Sequence, residues 1–149
     1  MKPLIFVASS WKNRDHVRSF ANLCREHGFE VYDFTDPTCR ACEEIPPEKC
    51  PESFDPAIHN YYDFVNQPRY LAAVFENRSV LSVCSAVVLI LPCGIDATAD
   101  WAYAVGRGAL SVIIGNPKKG DFSPTHAWAN RIVASDEEAI NFLQNEFGR

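Results

Sequence analysis

The stretch Ala86-Val87-Val88-Leu89-Ile90-Leu91 is six apolar residues without a break, three of them β-branched. It is too short for a membrane span, which needs about 18 residues, and too uniform for a strand with one wet face. A parallel strand covered by helices on both sides reads this way. The chain around it alternates in kind. Residues 5–8 form a second apolar run, and residues 11–27 carry Val17, Phe20, Ala21 and Cys24 at helical spacing, with Gly28 as the stop. Residues 29–34 read as a strand, 61–65 as a short helix, and 69–83 as a longer helix faced by Leu71, Val74, Phe75, Arg78 and Leu81. After the central run come a helix over 98–107, a strand over 110–114 and a short strand over 132–134. Ser135 then opens a capping box with Glu138 before the stripe Ala139, Ile140, Leu143. This alternation predicts an α/β doubly wound, flavodoxin- or Rossmann-like sheet of five parallel strands with helices on both faces.

The chain of 149 residues is one domain by length, and its 47 % apolar and 22 % charged content is that of a globular protein. A net charge of -5 argues against a nucleic-acid binder, whose surface would be basic. The apolar run near the N-terminus is strand-sized and lacks a cleavage pattern, so the reading is cytoplasmic, with no membrane partner.

Doubly wound sheets bind ligands at the carboxyl ends of their strands, which directs attention to the loops that leave them. Neither a G-x-x-x-x-G-K-[ST] nor a G-x-G-x-x-G motif is present, so the sequence offers neither a Walker loop nor a dinucleotide fingerprint. In the first loop, Ser9, Ser10, Trp11 and Arg14 offer two hydroxyls, an aromatic face and a cation at a helix start. That set suits a sugar or phosphate beside a stacked base, and equally an ordinary serine cap with a surface tryptophan. The loop after the central strand runs Pro92-Cys93-Gly94-Ile95-Asp96-Ala97-Thr98-Ala99-Asp100. Asp96 is read in the loop and Asp100 four residues later in the first helical turn, with Tyr103 about one turn on. A carboxylate there can attack a carbon electrophile or stabilise an oxocarbenium-like centre; an acidic helix start favoured by the helix dipole is the plainer reading. Asn116, after the fourth strand, either touches a ligand or simply turns the chain with Gly115 and Pro117.

Residues 35–56 form an irregular, Pro-rich connection holding Cys39, Cys42 and Cys50, with His59 beyond it. The C-x2-C-x7-C-x8-H spacing is compatible with a structural zinc; three reduced cysteines in a lid account for it as well. No cofactor is required by any other feature of the sequence.

Phe6-Val7-Ala8-Ser9-Ser10-Trp11-Lys12-Asn13-Arg14, Gly28-Phe29-Glu30-Val31-Tyr32-Asp33-Phe34, and Val88-Leu89-Ile90-Leu91-Pro92-Cys93-Gly94 with Ala102-Tyr103-Ala104-Val105-Gly106 resemble the nucleoside 2-deoxyribosyltransferase superfamily, in its small bacterial and phage members. The resemblance spans most of the chain and lapses between Thr38 and Pro56. It implies cleavage or transfer at the N-glycosidic bond of a nucleoside or nucleotide. It also implies an acidic nucleophile at Asp100, one methylene shorter than the family's glutamate, and a helper at Asp96. Asn77 stands where the family carries another acid, and Gly94 lines the central loop. A homo-oligomer is implied by the same resemblance. A non-catalytic nucleotide-binding or sensor domain of the same fold is the alternative.

Overall fold

In a computed structural model, residues 2–36 and 54–148 are described. Cys39, Cys42 and Cys50, the three cysteines of the zinc reading, lie outside the described residues. The strands are β1 (Leu4–Ala8), β2 (Glu30–Asp33), β3 (Ala86–Ile90), β4 (Leu110–Ile114) and β5 (Arg131–Val133). The helices are α1 (Arg14–Glu26), α2 (Tyr61–Val65), α3 (Pro68–Leu81), α4 (Ile95–Gly106) and α5 (Asp136–Glu146). All five strands are parallel, in the order β2-β1-β3-β4-β5. This is the expected doubly wound α/β sheet. The order in which strands are added reverses between β1 and β3, the point where a crevice opens above such sheets.

Strand residues alternate between two cores, as a pleat requires. Ile5, Val7, Val88, Ile90, Val112 and Ile114 face Val17, Phe20 and Cys24 of α1 and Ala139, Ile140 and Leu143 of α5. Phe6, Ala8, Val87, Leu89 and Ile113 face Leu81 of α3 and Ala97, Trp101 and Ala104 of α4. β3 is buried at every position, which is why its sequence shows no polar face. Each fully buried aliphatic side chain contributes roughly 1.5–3 kcal/mol, so this strand anchors both layers. α1 ends where Gly28 takes φ 84° and the Phe29 amide donates to the Cys24 carbonyl at 3.1 Å.

Three local readings need correction. The 11–27 helix begins as a 3-10 turn over Trp11–Asn13, capped by the Ser10 hydroxyl, and becomes α-helical at Arg14. α4 begins at Ile95, not Thr98, so Asp96 lies in its first turn and Asp100 in its second. Thr98 sits inside the helix, its hydroxyl donating to the Gly94 carbonyl at 3.1 Å. On α3, Val74 and Phe75 are exposed. The helix turns Ala73, Asn77, Val80 and Leu81 inward instead, a stripe with a polar residue in its middle.

Candidate active site

The switch point between β1 and β3 is closed by side chains from the first loop. The Ser9 hydroxyl donates to the Ile90 carbonyl at 2.8 Å, and Asn13 Nδ2 donates to Ser9 Oγ at 3.1 Å and to the Pro92 carbonyl at 2.6 Å. Ser9 is buried, so its hydroxyl is a brace between strand ends. Leu91–Pro92 is a cis peptide. Gly115 closes the neighbouring β4 end with φ 87°, where a Cβ would meet the Leu91 carbonyl oxygen at 3.3 Å.

Below this mouth, α3 and α4 bring two polar side chains together. Asn77 Nδ2 donates to Asp100 Oδ2 at 3.0 Å, and the Tyr32 hydroxyl at the far end of the amide donates to Asn77 Oδ1 at 2.9 Å. Tyr32 in turn stacks on Phe6, with ring centroids 5.1 Å apart. Asp100 is held with its carboxyl pushed up to about 6 from an ordinary 3.8. Burial is the main cause, the Asn77 bond works the other way, and the negative charge of Asp96 adds to the rise. Such a carboxylate is ionised near neutral pH yet poorly hydrated, which suits a nucleophile.

The helix ends are fixed by Arg107, whose Nε donates to the Leu81 carbonyl at 2.8 Å while its guanidinium also reaches the Cys84 carbonyl. This bridge ties the C-terminus of α4 to that of α3, the two helices on which Asp100 and Asn77 meet.

The other expected site residues divide into those near the strand ends and those away from them. Asp96 is exposed in the first turn of α4, one turn before Asp100 and on the same side of the helix. Gly94 is the extended residue that starts α4. Ser10 caps the 3-10 turn, accepting from the Lys12 amide at 3.3 Å. Trp11 packs on Phe34 at 5.0 Å, and Arg14 is exposed at the start of α1. Asn116 is exposed just beyond β4. Tyr103 lies elsewhere. It is one turn further from the mouth than Asp100, its hydroxyl 3.4 Å from Ser82 Oγ at the end of α3. His59 packs between Phe54 and Phe64, with centroid separations of 6.0 and 4.8 Å, and its Nδ1 accepts from the Asp55 amide at 2.9 Å. Among the described residues, no group of three or more His, Cys, Asp or Glu side chains could hold a metal ion.

Asn13 and Tyr32 are the residues that sequence reasoning missed. Each bonds a partner far along the chain, Pro92 for Asn13 and Asn77 for Tyr32, so local spacing carries no trace of either. The one available signal is that Tyr32 shares its strand face with the apolar residues of the α3–α4 core.

No helix among the described residues is long and apolar enough to cross a membrane. No protein-family model matches the sequence, and no curated protein matches it. Among solved structures, a Clostridium botulinum CMP N-glycosidase, BcmB, aligns over 96 % of this chain and 98 % of its own, with 12 % identity and a TM-score of 0.51. At that identity the likeness is one of fold.

Proposed function

We propose that the protein cleaves the N-glycosidic bond of a nucleoside or nucleotide, with Asp100 as nucleophile. The observation that carries this reading is Asp100 itself, a half-buried carboxylate below the β1–β3 switch point, held by Asn77 and ionising near 6. The likeness of fold to a CMP N-glycosidase supports the same class of chemistry.

In the proposed step, an Asp100 oxygen bonds to the anomeric carbon as the C–N bond breaks. The bonding pair leaves on the base nitrogen, which takes a proton from water. Water then hydrolyses the glycosyl ester and frees the carboxylate; a second base in place of water gives transfer instead. Asp96, one turn nearer the helix start, contacts the sugar or base. Ser10, Trp11, Arg14, Gly94 and Asn116 rim the same end of the sheet and position the ligand, while Ser9 holds the floor on which they stand. Tyr103 is left to a supporting role at Ser82. The reading includes a cytoplasmic homo-oligomer, which gel filtration with light scattering checks directly, and no nucleic-acid or membrane partner. It requires no cofactor. A structural zinc at Cys39, Cys42, Cys50 and His59 is a separate proposal, tested by metal analysis of the purified chain beside Cys42→Ser.

One observation favours a second reading. The partner of Asp100 is an amide, which cannot exchange a proton with a leaving base as an acid would. A nucleotide-binding or sensor domain would keep the same contacts without turnover. The deciding experiment incubates wild type and Asp100→Asn with pooled nucleosides and nucleotides and separates the products by chromatography. Free base from wild type alone supports cleavage. Ligand binding without base release, equal in both proteins, supports the binding module.

A further inference from the structure

The amide of Asn77 has two unlike ends, and the carboxylate of Asp100 fits only one of them. A carboxylate accepts, so Nδ2 must face Asp100; Oδ1 is then left to meet a donor, and the Tyr32 hydroxyl supplies it at 2.9 Å. Tyr32 is itself fixed by its strand and by its stacking on Phe6 at an interplanar angle of 25°. The three residues come from β2, α3 and α4, so the line Tyr32–Asn77–Asp100 joins three elements through one amide. Asp100 Oδ1 has no hydrogen-bond partner among the described residues, while Oδ2 is engaged.

We infer that Tyr32 is a positioning residue for Asp100: acting through Asn77, it fixes the amide so that Oδ2 is held and Oδ1 is left to meet the ligand. This deepens the reading of Asp100 as nucleophile and rests on it for its catalytic meaning. The hydrogen-bonded geometry stands apart from that reading. The charged group that acts on Asp100 is Asp96, on its own helix; Glu76 and Arg78 are the sequence neighbours of Asn77 on α3. Arg78 is turned to Tyr103.

Tyr32→Phe removes the hydroxyl and keeps the ring that stacks on Phe6. The Asp100 carboxyl is followed by carbon-detected NMR titration, its resonance assigned by its loss in Asp100→Asn. A freed amide bonds Asp100 less well, so the midpoint moves up by about half a unit, which is about a threefold loss of ionised carboxylate below the midpoint. The acid limb of kcat/KM moves with it, and activity recovers above pH 8. In an Asn77→Ala background, Tyr32→Phe has no effect on the midpoint, because the intermediary is gone. An unmoved midpoint in the single variant overturns the inference. So does a shift of equal size without Asn77, and so does a uniform loss of activity at every pH. If no substrate is turned over yet the midpoint moves only when Asn77 is present, the positioning stands and the assignment of Asp100 as nucleophile is what fails.

Discussion

Asn77 and Asp100 lie on different helices, 23 residues apart in the chain, and meet side chain to side chain at 3.0 Å. Neither would be placed there by its own helix. The Arg107 bridge ties the end of α4 to the end of α3, and the Phe6–Tyr32 stack sets the other side of the amide. The result is a carboxylate whose burial raises its affinity for a proton and whose neutral donor, Asn77, offsets part of that rise.

Activity should therefore follow the ionisation of Asp100. A nucleophile works as the anion, so kcat/KM rises about tenfold per pH unit below 6 and flattens above it. Initial rates between pH 4.5 and 8 on the substrate found by product analysis check this. A rate that falls as pH rises through 6 would assign Asp100 to proton donation.

Stability should run in the opposite sense. The folded carboxyl has a pKa of about 6 against an ordinary 3.8, so folding favours its protonated form. Well below 3.8 the group is neutral in both states and costs nothing; between 3.8 and about 6 the unfolded chain gives up its proton while the folded one keeps it, so stability falls, and above 6 the folded protein holds an ill-hydrated charge. Asp100→Asn removes that charge and keeps an oxygen for Asn77. Its melting temperature should lie close to wild type at pH 4 and clearly exceed it at pH 8, by on the order of 2 kcal/mol or roughly 4–8 °C. Calorimetry at the two pH values measures both limits.

Replacing the amide by an acid tests the electrostatics directly. Asn77→Asp puts two carboxyls in hydrogen-bond contact, and like charges at that distance share one proton. The acid limb of the rate profile should move up by more than one unit, with at least about a fivefold loss at pH 6. A limb that stays near 6 would mean that Asp100 ionises independently of position 77.

The brace at the strand ends should matter for ligand binding more than for the fold as a whole. Asn13→Ala removes two bonds, to Ser9 Oγ and the Pro92 carbonyl, and leaves that carbonyl without its amide donor. A cost of about 1–2 kcal/mol in thermal unfolding is expected. A ligand held between the two loops should bind several-fold more weakly, which calorimetric titration with the identified nucleotide would read. Unchanged affinity would remove the β1–β3 crevice from the binding site.

The fold was legible because burial leaves a periodic record. β3 is apolar at every position since both its faces are covered, and α1 and α5 show their stripes since each packs one face on the sheet. The site was legible only in part. Asp100 stands out as an acid just past the central strand, but α4 starts at Ile95 rather than Thr98, and its cap is Gly94, which has no side chain to mark the start. The inner face of α3 was misread because apolar Val74 and Phe75 point outward while Asn77 points in. Periodicity assumes that the buried face is the apolar one, and at a site that assumption fails. Tyr32 and Asn13 were hidden for a simpler reason: their partners are 45 and 79 residues away.

Arg107 ties the end of α4 to the end of α3. Its guanidinium donates to the carbonyls of Leu81 and Cys84, which lie at and just beyond the end of α3. Helix C-termini leave such carbonyls unpaired, and a cation satisfies them with charge-assisted bonds. Arg107→Lys keeps the charge but cannot reach both carbonyls with a planar fork. Stability should fall by about 1 kcal/mol, and more in Arg107→Ala, where both bonds are lost. If the register of the helices is what brings Asn77 to Asp100, the Asp100 midpoint should also rise in both variants. Arg107 is remote from the carboxylate along α4, so a midpoint that moves with Arg107→Lys, where charge is conserved, isolates geometry from charge. A protein that loses stability while keeping its Asp100 midpoint would show that α3 and α4 hold their register without this bridge.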